Sequence, residues 1–234
     1  TVDRYVKAVE VREINDIAGD TASSTVGGRY VFHHMTYSSG VLNEEGTAVD
    51  EDTRTRWPIH EVGRNADIFP EKFGTLLQAD SALHLRASHI HPNGIQETTA
   101  HLEFGFVFHP KGYTPEYGNR ARVRLGNGTD IDVVGGRAGQ EFHAFAVLEQ
   151  HTKLVAFEPH LHAPGTRMCI EAIWGSNHFT LNCVGYDHSW VKQYVYEDDA
   201  APLLPKGTIM HIVGFLDTTA GNENVADSRN WAGG

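Results

Sequence analysis

Short runs of alternating apolar and polar residues, bounded by Gly, Pro, Asn and Asp, recur along the chain, and helix-period patterns are weak. Alternation with a period of two sends every second side chain to one face of a strand. Many such short runs separated by turn residues are the pattern of an antiparallel β-sandwich, so the expected fold class is all-β. Leu83, Leu85, Ala87, His89 and His91 fall on one strand face. Leu102, Phe104, Phe106 and Phe108 form a second apolar face, and Phe142, Ala144, Ala146 and Leu148 a third. Val155 and Phe157 lead a fourth strand into Glu158, Pro159 and His160. Segments 168–174 and 178–184 read as a hairpin around Gly175, Ser176 and Asn177. A turn centred on Ser176 sets Cys169 opposite Cys183, where a cross-strand disulfide is geometrically reasonable. The other reading of this pair is two small buried residues.

The segment 111–127 is rich in Gly, Pro, Arg and Tyr and reads as a connection between two halves. A boundary near Gly118 divides the chain into 1–117 and 118–234. The 234 residues suffice for one large β domain or two small ones, each with its own core. Segment 220–234 has almost no apolar residues and reads as a loop.

Composition narrows the functions open to such a chain. Hydrophobic residues make up 40% and charged residues 21%, an ordinary globular balance. The longest apolar runs fall well short of the roughly 18 residues a membrane-spanning helix needs. The formal charge of −11 argues against nucleic acid as a partner, because no basic stripe offsets phosphate repulsion. A cationic substrate or basic partner stays open. The chain starts at Thr1 rather than Met, which points to a trimmed, mature product.

Histidine is the unusual component: 15 residues, against two cysteines. A metal site here would be built of imidazole, which suits copper, zinc, iron or nickel. His160-Leu161-His162 is the strongest local signal, since alternate strand residues share a face and both rings can reach one ion. His33-His34 can share an ion only where the strand ends, bulges or twists sharply, because adjacent strand residues point to opposite faces. His89-Ile90-His91, before the turn Pro92-Asn93-Gly94, is a further same-face pair, in which one histidine suits a ligand and the other, His91, a neighbour or a group that orients it. His143 precedes the strand leading to His160, as a candidate to orient a ligand there. His60, His84, His101, His109, His151, His178 and His211 are scattered and suit solvated or hydrogen-bonded roles. Met35, Met168 and Met210 suit core filling. The polar and aromatic cluster 186–190 suits either a pocket lining or a packed strand end. A GxSxG elbow, a phosphate loop, a dinucleotide fingerprint and HExxH are all absent from the sequence.

The order of these pieces resembles the copper type II, ascorbate-dependent monooxygenases, the family of peptidylglycine hydroxylating and dopamine β-monooxygenases, and most closely their bacterial relatives. The stretches that carry the resemblance span nearly the whole chain: the opening segment 3–12, Phe32-His33-His34-Met35, Ile68-Phe69-Pro70-Glu71, Gly74-Thr75-Leu76-Leu77, His89, Pro159-His160-Leu161-His162, Leu204-Pro205-Lys206-Gly207-Thr208 and Phe215-Leu216-Asp217. The resemblance implies two tandem, jelly-roll-like β-sandwiches and two copper ions, one per domain. His33, His34 and His89 would hold an electron-transfer copper, with His91 two positions beyond. His160, His162 and a methionine would hold the oxygen-binding copper, making these two histidines the catalytic pair. It further implies an extracytoplasmic protein that hydroxylates a C–H bond of a small substrate with O2 and ascorbate or another electron donor. In the family the methionine follows the Asp/Asn-rich segment that here runs over 220–231, which places it past Gly234. Either the sequence stops short of that ligand or the oxygen site is incomplete. The alternative is a non-catalytic subunit of a larger extracytoplasmic or membrane-bound redox complex, partnered by a c-type cytochrome. The remaining reading is a plain β-sandwich binding module whose histidines are structural.

Overall fold

The computed structural model describes residues 2–15, 30–47, 50–90, 97–116 and 132–225. The chain divides into two compact units, Thr1–Ala121 and Arg122–Gly234. The junction read near Gly118 lies outside the described residues. The expected all-β class is borne out: among the described residues there is no α-helix, only a 3-10 turn at Glu51–Thr53. No helix among them is long and apolar enough to cross a membrane.

The first unit contains β1 (Arg4–Asn15), β2 (Phe32–Gly40), β3 (Thr55–Arg56), β4 (His60–Glu61), β5 (Ala66–Ile68), β6 (Thr75–Leu77), β7 (Ala82–Ile90) and β8 (Ala100–Phe108). Each of its two antiparallel sheets is built on one long strand. β1 pairs with β8 along one edge and with β5 and β6 along the other. β2 pairs in the same way with β7 and with β3 and β4. Val6, Val9, Val11, Tyr37, Trp57 and Phe69 form the core, with Leu102, Phe104, Phe106 and Phe108 packed against it. Val6 and Val9 are three residues apart, an odd spacing for one strand face. The extra residue Lys7, between the pairs Val6–Phe108 and Ala8–Val107, shifts the phase so that both valines turn inward.

A similar irregularity corrects the expected continuous face from Leu83 to His91. Thr36 pairs with Ala87, but Tyr37 pairs with Leu85, so Arg86 is extra. Cross-strand partners share a face. Leu85 therefore goes with Tyr37 and Ala87 with Thr36, on opposite sides. Leu83 and Leu85 are left exposed. His91 lies outside the described residues.

The second unit contains β9 (Gln140–Val147), β10 (Thr152–Lys153), β11 (Ala156–Phe157), β12 (Gly165–Trp174), β13 (Asn177–Gly185), β14 (Tyr194–Val195), β15 (Leu203–Leu204) and β16 (Ile209–Leu216). Its main sheet has the order β13-β12-β16-β9, and two short ladders, β10-β15 and β11-β14, lie apart from it. Alternation puts Met168, Ile170 and Ala172 of β12 and Met210 and Ile212 of β16 on one face, where they meet Leu148 and Phe157 in a second core. Leu154, Leu161, Tyr196 and Leu204 pack onto it from the short ladders and loops. Met35, Met168 and Met210 are all buried, as expected of core methionines.

The hairpin forms, with a tighter turn than the sequence suggests. Trp174 pairs with Asn177, leaving the two-residue turn Gly175-Ser176, and Gly175 takes the positive φ of 59° that such turns require. Continued unbroken, that register would set Cys169 against Asn182. An extra residue, Leu181, between the pairs Glu171–Thr180 and Ile170–Asn182 restores the offset. Cys169 then faces Cys183, and the two form a disulfide.

Candidate metal centres

The first candidate site begins with a register irregularity. Phe32 pairs with Ile90 and His34 with His89, so His33 is the extra residue in β2. A bulge sets two residues against one on the neighbouring strand. It is the local feature that lets two consecutive histidines turn toward a third. The ring centroids lie 5.4 Å apart for His33–His34, 4.9 Å for His33–His89 and 5.2 Å for His34–His89. One nitrogen from each ring lies within 4.8 Å of the others, and the His33 and His34 Nδ1 atoms are 3.2 Å apart. His33 is fully buried, while His34 and His89 are half-buried. Three imidazole nitrogens around one point, with no carboxylate among them, make a borderline-soft donor set that fits copper or zinc.

The backbone under these rings is held from two sides. The carbonyl of His33 accepts a hydrogen bond from Val62 N at 2.6 Å. Upstream, the buried Glu13 carboxylate accepts from Val31 N at 2.8 Å and Phe32 N at 2.9 Å, and from Asn15 Nδ2 at 2.7 Å. These bonds tie the start of β2 to β1 one residue before His33. The same unit buries Arg64 against Asp67, with Nε–Oδ2 at 3.4 Å, and sets Met35 against His60 in register. Burial, reinforced by the charge of Arg64, lowers the His60 pKa from 6.5 to about 4, so this imidazole stays neutral. Burial first, and Asp67 second, raise the Tyr37 phenol above its ordinary value.

The second candidate site does not lie on a strand, contrary to expectation. His160-Leu161-His162 lies in the connection between β11 and β12, outside the strands. The His160 and His162 ring centroids are 5.8 Å apart. Leu161, between them, faces inward and packs on the second core. Its carbonyl accepts from Tyr186 Oη at 2.6 Å, and the His162 carbonyl from Gly165 N at 2.7 Å. Gly165 is needed there, because an added Cβ would lie 2.4 Å from Leu161 Cβ. Next to this loop, Pro159, Tyr186, Asp187, Trp190, Lys192 and Tyr194 line a pocket of about 130 Å³. The polar cluster 186–190 thus lines a pocket as well as packing, with Tyr186 and His188 buried.

The other histidines divide into two kinds. His109 donates from Nε2 to Phe73 O at 2.8 Å and stacks on Tyr113 at 3.9 Å, and His151 Nδ1 accepts from Lys206 N at 3.3 Å. Both have hydrogen-bonded structural roles. His178 and His211 do more than the sequence suggests, because both bond to Glu171 Oε2, at 2.8 and 2.7 Å. His143 sits against His211, with Nδ1–Nε2 at 3.0 Å. Burial pushes the Glu171 carboxyl up, but the hydrogen bonds and charge of the two histidines outweigh it, leaving its pKa below the ordinary value. Sequence spacing hides this group: 171, 178 and 211 come from three strands, and only the pairing of Glu171 with His211 in register signals it. In comparisons with known proteins, no family model and no curated protein matches the chain.

Proposed function

We propose that this chain is a copper-dependent, monooxygenase-like redox protein, built as two tandem jelly-roll-like sandwiches that each hold one copper. The observation that carries the reading is the convergence of His33, His34 and His89, drawn from two strands, within 4.8 Å of one another. His160 and His162 are the protein ligands of the second copper. Bound copper supplies one-electron redox chemistry and the activation of O2 toward a C–H bond, with ascorbate or another donor returning the electrons. The protein's own part is positional. The bulge at His33 fixes the first ring in a dry setting and leaves His34 and His89 half open to a donor. The inward anchor of Leu161 and the Tyr186 hydrogen bond fix the loop that carries the two later imidazoles. The adjoining pocket of about 130 Å³ has room for the equivalent of roughly four waters, a small part of an organic substrate. The Cys169–Cys183 disulfide supports an oxidising, extracytoplasmic setting.

Copper reconstitution of the full chain, with metal analysis and electron paramagnetic resonance, tests this. The expected result is two coppers per chain, one of them lost in His33→Ala and the other in His162→Ala. Ascorbate-dependent O2 uptake should vanish in His162→Ala. A chain that retains no copper after desalting overturns the proposal. Copper at the His33 site with no O2 uptake under any donor identifies instead a non-catalytic electron-transfer subunit, which should co-purify with a c-type cytochrome or a membrane redox complex.

A further inference from the structure

On the face of the main sheet of the second unit turned away from its core, Glu171 occupies the centre of a group built from all four strands. Met168, Ile170 and Ala172 face the core. Glu171, one position out of phase, therefore faces the other way. His211 on β16 is its direct cross-strand partner. His178 on β13 pairs with Ile173, two positions along from Glu171, so it reaches the carboxylate diagonally. His143 comes from β9, where its register partner is Val213, again two positions from His211.

The geometry is convergent. Both His178 Nε2 and His211 Nδ1 point at the same oxygen, Glu171 Oε2, at 2.8 and 2.7 Å. One ligand atom from each of the three residues lies within 4.8 Å of the others. Phe145 stacks on the His211 ring at 4.2 Å with an interplanar angle of 4°, which sets the ring plane. His143 Nδ1 lies 3.0 Å from the far nitrogen of His211. A histidine that gives one ring nitrogen to a metal commonly gives the other to a hydrogen-bond partner, which fixes its tautomer. Glu171 and His211 are largely shielded, while the His178 side chain is 55% exposed, so the group has one open side.

We propose that Glu171, His178 and His211 form a divalent-metal site of the zinc class, with His143 orienting His211. Two imidazoles and one carboxylate with an open position are a donor set that zinc takes in catalytic sites. Ligand atoms around tetrahedral zinc stand roughly 3.3 Å apart, given bonds of about 2.0–2.1 Å. Loading the site therefore needs the side chains to part by about half an ångström, within reach of a half-exposed histidine on a sheet surface. The two imidazoles bind as neutral bases, with His211 carrying its proton on Nε2 toward His143. The site is independent of the copper reading and shares none of its metal ligands; His143, a candidate from the sequence to orient a ligand at His160, lies against His211 instead.

Zinc titration of the full chain against a competing chelator tests the assignment, in the wild type and in His33→Ala, with zinc X-ray absorption reporting the ligands. His178→Ala and Glu171→Gln should each remove one zinc equivalent, or weaken it by more than about 100-fold, in both backgrounds. His143→Ala should weaken it by roughly 10–100-fold with the equivalent retained, as loss of an orienting partner does. Absorption spectra should show two imidazole nitrogens and carboxylate oxygen at one ion. His178 is half exposed, so its replacement leaves the fold intact and decides the matter even if Glu171→Gln does not fold. Unchanged zinc stoichiometry and affinity in His178→Ala, or no zinc bound beyond the equivalent that His33→Ala removes, overturns the proposal. Loss of copper from the His33 site tests the earlier reading and leaves this one standing.

Discussion

Glu13 is 1% exposed and carries a carboxylate, which is tolerable only because two backbone N–H groups and one amide point at it. In Glu13→Gln the new amide group would meet donors it cannot accept from. The expected cost is about 1–3 kcal/mol in urea unfolding, with weaker copper retention at His33 because the start of β2 loses its tie. His60 gives a pH signature. The unfolded chain takes up a proton there near pH 6.5, the folded chain only near pH 4. This contribution to stability is therefore whole above about pH 6.5, declines as pH falls from 6.5 toward 4, and levels off below. The steepest slope is about 1.4 kcal/mol per pH unit. Urea midpoints measured across that range should fall with pH, and His60→Gln should flatten the curve. Gly165→Ala drives a Cβ into Leu161, so it should displace the His160–His162 loop. Copper counts should drop by one while the His33 site stays loaded.

At the scale of the strand, single extra residues do most of the positioning. Lys7 turns Val6 and Val9 into one core, His33 turns two histidines toward a third, Arg86 splits a face in two, and Leu181 brings the cysteines into register. The last is directly testable. Deleting Leu181 should remove the bulge and leave Ile170 against Asn182 and Cys169 against Cys183, so thiol titration of the denatured, unreduced protein should find no free thiols, as in the wild type. Replacing both cysteines by alanine should lower stability by about 3 kcal/mol, the chain-entropy expectation for a loop of roughly 15 residues. Period-two reading locates strands well, and β8 and β9 carry the apolar faces expected of them. It does not reveal bulges, because an inserted residue leaves the composition of a strand unchanged and alters only its phase.

For the molecule as a whole, two separate cores mean that damage should stay local. Met168 is buried in the second core, and Met168→Ala should cost about 2–5 kcal/mol through lost contacts and the cavity left behind. In calorimetry it should lower the unfolding transition of the second unit and leave that of the first unit in place, together with any stabilisation that copper would give it on the proposed reading. If copper binds as proposed, a free concentration 100 times its dissociation constant would stabilise that unit by about 2.7 kcal/mol. The formal charge of −11 bears on solubility and on the choice of partner, not on the fold.

The sequence by itself determined the all-β class, most strand faces, the buried methionines, the hairpin and the pairing open to its two cysteines. These follow from local alternation and turn chemistry, which a few neighbouring residues encode. Only the tertiary structure decided that His33, His34 and His89 meet, that His160-Leu161-His162 lies off the sheet, and that Glu171, His178 and His211 share one oxygen. Those meetings depend on register between strands far apart in sequence. Register moves by one residue at each bulge, a displacement too small for local pattern to record and large enough to turn a side chain to the opposite face.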